Sequence, residues 1–125
     1  MKEIVFAADA GKPIGPYSQA VKFGDLVFVS GQIPINPKTG ALAVASIEEA
    51  THQVMKNIQT ILQAAGINFE NVIKTTIFLT NLDDFAQVNA VYGSYFAGNF
   101  PARETVQVCR LPKEVPVEIS VIAHQ

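Results

Sequence analysis

The segment "SIEEATHQVMKNIQTILQAAG", residues 46–66, does most to narrow what this chain can fold into. Ser46 and Glu49 have the spacing of a capping box, in which each side chain satisfies a free backbone N–H of the first helical turn. Ile47, Ala50, Val54, Ile58, Ile61, Leu62 and Ala65 recur at helical spacing and form one apolar face. Gly66 supplies the left-handed stop. A helix with one apolar face has to lay it on another element, and the flanking sequence offers strands.

"IVFAA" (4–8) and "QAVKF" (19–23) read as short strands. "LVFVSG" (26–31) is a continuous apolar run of the kind buried on both faces. "FGD" predicts a tight hairpin between the last two strands, and the turn-rich "IPINPKTG" (33–40) predicts a loop. "VIKTTIFLT" (72–80) is β-branched and alternating, hence a strand. A second helix is expected from near Asn81, with Asp83 and Asp84 at its positive end. It buries Phe85, Val88, Tyr92, Tyr95 and Phe96 and stops at Gly98. Strands at 103–109 and 116–123 follow. The order β-β-β-α-β-α-β-β predicts one α+β domain over residues 1–125. Its single mixed sheet carries both helices on one face and leaves the other for a partner.

Composition supports that open face. Hydrophobic residues are 49% of the 125 and charged residues only 16%, against about 25% charged in an average soluble protein. So few charges cover a small surface poorly, which points to a homo-oligomer. The net charge is −2 and the basic residues are scattered singly. Neither nucleic acid nor an anionic membrane surface is therefore expected as a partner. Cys109 is the single cysteine, so no intrachain disulfide can form. No charged-then-apolar leader follows Met1 and no apolar run nears ~18 residues, so a cytoplasmic location is expected. His52 and His124 lack any metal-ligand spacing, and no metal site is predicted.

The chemistry concentrates in "FPARETVQV" (100–108), where one arginine stands just inside a strand entered through a proline. By alternation Arg103, Thr105 and Gln107 share one face and Val106 and Val108 the other. If this strand pairs antiparallel with the next, Gln107 falls opposite Glu118, and Arg103 and Glu118 share a face. They would then stand roughly 13 Å apart at ~3.3 Å per residue. That is too far for a salt bridge but suitable for flanking a small ligand, or for a site completed by a second chain. A lone strand arginine is more often a solvated or interface residue, and a strand glutamate can simply discourage edge aggregation. The pattern alone leaves these readings open.

"IGPYSQAV" (14–21), "VSGQIPINPKTG" (29–40), "KTTIFLTNLDDFAQVNAVYGSYF" (74–96) and "FPARETVQVCRLPKEVPVEISVIA" (100–123) together resemble the RidA/YjgF family of reactive-intermediate deaminases. This family was formerly labelled translation inhibitors or L-PSP endoribonucleases. The most specific parts are Pro101-Ala102-Arg103, Arg110-Leu111-Pro112 and Val117-Glu118-Ile119. The resemblance implies a chorismate-mutase-like homotrimer with sites between subunits. It implies that Arg103 grips a substrate carboxylate and that Glu118 positions or activates water. Tyr17, Ser30, Gly31, Asn89 and Thr105 match positions that line the pocket. Three departures bear on substrate range: Glu104 follows the arginine where a small residue is usual, Thr105 stands where some relatives have cysteine, and Ser120 replaces a frequent second glutamate.

The implied reaction is hydrolysis of 2-imino acids, such as 2-iminopropanoate and 2-iminobutanoate, to 2-oxo acids and ammonia, with no cofactor. Two other functions remain open at the level of sequence. One is a trimer that binds small 2-oxo acids without turnover. The other is the ribonuclease of the older label, which the scattered lysines and the absence of a histidine pair make the weakest.

Overall fold

The computed structural model describes residues 1–125. Six strands form one sheet: β1 (Glu3–Val5), β2 (Ala20–Phe23), β3 (Leu26–Gln32), β4 (Val72–Leu79), β5 (Ala102–Gln107) and β6 (Val117–His124). Two helices, α1 (Ile47–Ala64) and α2 (Phe85–Gly93), complete the expected element order. The core joins Ala50, Val54, Ile58, Ile61 and Leu62 of α1 to Val117, Ile119, Val121 and Ala123 of β6.

Ser46 caps α1 as its spacing predicts, its Oγ accepting from Glu49 N at 3.0 Å. The reciprocal bond lands one residue early: Ala45 N, not Ser46 N, donates to Glu49 Oε2 at 3.0 Å. Gly66, with φ of 78°, takes the left-handed turn that ends the helix. The second helix is shorter than expected. Asn81 Oδ1 caps a 3-10 turn over Leu82–Asp84, and α2 then runs only to Gly93. Tyr95 and Phe96 lie beyond it but still pack on the core. Phe85 is not part of the buried stripe: it is 41% exposed.

The strand order, β1-β2-β3-β6-β4-β5, overturns one expectation. β5 and β6 are not antiparallel neighbours. α2 carries the chain back across the sheet, so β5 pairs parallel with β4 on the outer edge. β6 then enters antiparallel between β3 and β4. Two consecutive strands separated by a short connection need a hairpin to pair antiparallel. The residues between them form a short 3-10 turn whose Lys113 and Glu114 have φ of 58° and 57°, and no hairpin forms.

Nor is β3 buried on both faces. Val27 and Val29 are buried under the helices, whereas Leu26 and Phe28 are 37% and 42% exposed on the other side. Register places Val21 and Phe23 of β2, Ile4 of β1 and Ile122 of β6 on that same side. The chain's own helices cover one face, and a broad apolar patch is left on the other.

Candidate functional site

The topology decides where Arg103 and Glu118 point. Thr75 of β4 is the partner of both Arg103 and Val121, and Phe78 is the partner of both Val106 and Glu118. Side chains directly paired across strands share a face. Val121 and Thr75 are buried beneath the helices, so Arg103 lies on the helix side. Glu118 lies on the open side with Phe78 and Val106. The expected shared face is therefore wrong. The reason is the parallel β5: parity relates two strands only where they pair, and β5 and β6 do not.

On the open side, Glu118 stands beside β3 where the ladder shifts register between Val29 and Gln32. That irregularity brings Gly31 against the carboxylate. A Cβ on Gly31 would lie 2.8 Å from Glu118 Cδ, and nearer still to Oε2, so a side chain there would push the acid out of this position. Glu118 has no salt bridge or hydrogen-bonding side chain within the chain. Burial holds its pKa above the usual carboxylate value. Ser30, next to Gly31, donates from Oγ to Ser18 O at 2.6 Å, which leaves its oxygen lone pairs free to accept.

Tyr17 and Gly31 both border a small cavity, together with Lys12, Ile14, Gln19 and Gln32. Ile14 N donates to the Tyr17 oxygen at 3.2 Å, leaving the phenolic proton free. Gln19 was not singled out by sequence, yet it fixes this segment. Its Nε2 donates to Ala7 O at 3.1 Å and Gly11 O at 2.9 Å, and its Oε1 accepts from Ala7 N at 2.7 Å. A buried glutamine at a strand edge has no sequence signature beyond its polarity.

On the helix side, Arg103 borders a cleft of about 310 Å³ with Asn89, Tyr92, Gly93, Phe100 and Pro101. Its guanidinium carbon lies 5.6 Å from the Phe85 ring centroid and 5.2 Å from that of Tyr92. No carboxylate neutralises it: the chain's ion pairs are Lys74–Glu104 and Arg110–Glu114. Glu104 is turned to the open face as alternation predicts, held by Lys74 at 3.0 Å and by the Thr76 hydroxyl at 3.1 Å. It does not quench the arginine. Thr105 shares the Arg103 face, and its Oγ1 is shielded from solvent with no hydrogen-bond partner.

The predicted residues thus fall into two groups. Glu118, Gly31, Ser30 and Tyr17 belong to one, and Arg103, Asn89 and Thr105 to the other. Each group holds an unpaired ionisable group, and one chain presents them on opposite faces of its sheet.

The family model described as Endoribonuclease L-PSP matches residues 7–125. A RutC family protein from Pyrococcus horikoshii is 51% identical over 125 residues, 100% of this chain and 99% of its own. YyfA of the conserved Rid protein family, from Yersinia pestis, has a solved structure with a TM-score of 0.97 at 49% identity, covering 100% of both chains. TdcF from E. coli, solved with bound serine, matches with a TM-score of 0.95 at 41% identity over 98% of both chains. With its sheet order, its helices and almost its whole length matched, the chain belongs to the L-PSP endoribonuclease family, which takes in the Rid, RutC and YjgF proteins.

Proposed function

We propose that the protein hydrolyses small 2-imino acids, 2-iminopropanoate and 2-iminobutanoate among them, to 2-oxo acids and ammonia. The observation that carries this reading is the pair of unsatisfied charges, a guanidinium without a carboxylate and a half-buried carboxylate without a cation. A substrate with one carboxylate and an attackable C=N beside it matches both. TdcF, the E. coli relative solved with bound serine, shares the fold and holds a ligand with such a carboxylate.

Because the two groups lie on opposite faces, the site forms between chains. The Glu118 surface of one subunit meets the Arg103 cleft of the next, in a ring of three. Head-to-tail contacts of this kind close into cyclic oligomers. The exposed Leu26, Phe28 and Ile4 face supplies apolar area for such an interface.

Arg103 binds the substrate carboxylate with its planar fork, which fixes the orientation of the adjacent C=N. Water adds to C2 as Glu118 takes one of its protons and passes it to the imine nitrogen, giving a neutral carbinolamine. Glu118 then takes the hydroxyl proton and delivers it to the amino group, so that C=O forms as the C–N bond breaks and its electron pair leaves with ammonia. The 2-oxo acid and ammonia leave. Imines already hydrolyse in water, so positioned proton transfer worth about 10²–10⁴-fold is sufficient without a cofactor. Tyr17 and Ser30 orient the water, a role supported by the free phenolic proton of Tyr17 and the free lone pairs of Ser30. Pyridoxal-phosphate enzymes release such imines as enamines in the cytoplasm, and we place the protein there.

The test generates 2-iminobutanoate with an amino-acid oxidase or dehydratase and traps it with semicarbazide. Added protein should suppress semicarbazone formation in proportion to its concentration, and an unchanged trapping rate would overturn the reading. Mass in solution should correspond to three chains. A variant tests the carboxylate's seat. Gly31→Ala forces Glu118 to move, and displacement by about 1 Å costs on the order of 10²-fold in rate. The same assay should show that loss, with thermal melting of the variant confirming that it is folded.

A further inference from the structure

Arg103 has a long, flexible side chain and no ion pair or hydrogen bond within its own chain to hold it. Such a side chain ordinarily samples many rotamers, and freezing one on binding weakens affinity. Yet the guanidinium carbon lies over two aromatic rings, Phe85 at 5.6 Å and Tyr92 at 5.2 Å. Ring faces attract the flat side of a guanidinium, and its N–H donors lie in the plane, where they stay available to a carboxylate.

Tyr92 is itself fixed. It is 4% exposed, and its hydroxyl donates to Thr75 Oγ1 at 2.9 Å. Burial raises the Tyr92 pKa, so the donor stays protonated. Thr75 is fully buried and is the residue paired with Arg103 across β4 and β5. The strand neighbour of the arginine therefore holds the ring that holds the arginine. Packing alone does not call for this arrangement. Phenylalanine and valine would fill the same space without placing two hydroxyls in the core.

We propose that Phe85 and Tyr92 form an aromatic slot that orients Arg103 toward the carboxylate of an incoming 2-imino or 2-oxo acid. Thr75 sets the angle of the slot through the Tyr92 hydroxyl. Phe85, Tyr92 and Thr75 are positioning residues: they act through the arginine, and the inference rests on Arg103 being the carboxylate clamp.

Calorimetric titration with 2-oxobutanoate tests the slot, together with KM and kcat for enzymatically generated 2-iminobutanoate. Phe85 is largely at the surface, so Phe85→Leu should fold normally. Its affinity for 2-oxobutanoate should fall about 3- to 10-fold, as expected for losing one cation–π partner. KM should rise by a similar factor while kcat changes little, and Phe85→Trp, which restores a ring, should recover the affinity. Thr75→Val with Tyr92→Phe removes both hydroxyls together, so no buried group is stranded and the melting temperature should hold. Affinity should nevertheless drop, which a purely structural role would not produce. Wild-type affinity in both variants, with binding lost in Arg103→Ala, would overturn the slot and leave the clamp standing. Undiminished binding in Arg103→Ala would overturn the clamp, and the slot with it.

Discussion

Arg103→Ala should lower kcat/KM for 2-iminobutanoate by about 30- to 4,000-fold, and 2-oxobutanoate binding should fall with it. The range corresponds to about 2–5 kcal/mol, the usual cost of truncating one partner of a desolvated, hydrogen-bonded charge pair. The same substitution should hardly affect folding. Within the chain, Arg103 contacts Phe85 and Tyr92 through cation–π interactions and forms no salt bridge. Contacts of that kind are worth about 0.5–1 kcal/mol each at an exposed site. Activity should therefore collapse in a protein whose melting temperature and oligomer are nearly unchanged. Semicarbazide trapping and thermal denaturation on the same preparation check both halves. An active Arg103→Ala variant would refute the mechanism.

Glu118→Gln should have the second-largest effect, and it separates an enzyme from a binder. Removing a positioned base costs about 10²–10⁴-fold in rate. Affinity for 2-oxobutanoate should stay within a few-fold of wild type, because in the proposed mechanism the carboxylate is gripped from the Arg103 side. If biological effect and ligand affinity both survived while the wild type showed no turnover to lose, the protein would be a binder of 2-oxo acids. The variant should also be more stable than wild type at neutral pH. Burial raises the Glu118 pKa in the folded protein, so between its ordinary and raised values the native state binds more protons than the unfolded state. Stability then falls as pH rises through that window and remains lower above it. Glutamine has no such penalty, and the gain in melting temperature should disappear in acid. The same shift moves the acidic limb of the wild-type rate profile above that of an ordinary carboxylate, since the base works only when deprotonated.

Local patterns in the sequence carried the elements well, and long-range pairing carried them poorly. Ser46, Glu49 and Gly66 mark α1 because caps act within a few residues. Gly98 misled: it sits in the loop after α2, with φ of 132°, while the helix had ended at Gly93. Alternation placed Glu104 away from Arg103 correctly, because faces within one strand depend only on that strand. It could not relate Arg103 to Glu118, since their relation runs through Thr75 and Phe78 of a strand about 30 residues earlier. The residues that support the site were the least visible. Gln19 and Tyr92 read as an ordinary polar residue and an ordinary core aromatic, and only tertiary geometry gives them partners.

The central place of β6 has a consequence for how the molecule comes into being. It follows every other strand in the chain, yet it lies between β3 and β4. Without it, no strand joins the β1–β3 ladder to the β4–β5 pair. Closing the sheet therefore waits for residues 117–124, a nonlocal pairing of the kind that forms slowly and leaves strand edges open meanwhile. Glu118 travels on this last strand. The step that seals the sheet is the step that seats the carboxylate against Gly31, so a chain that stops short of β6 lacks the Glu118 half of the site.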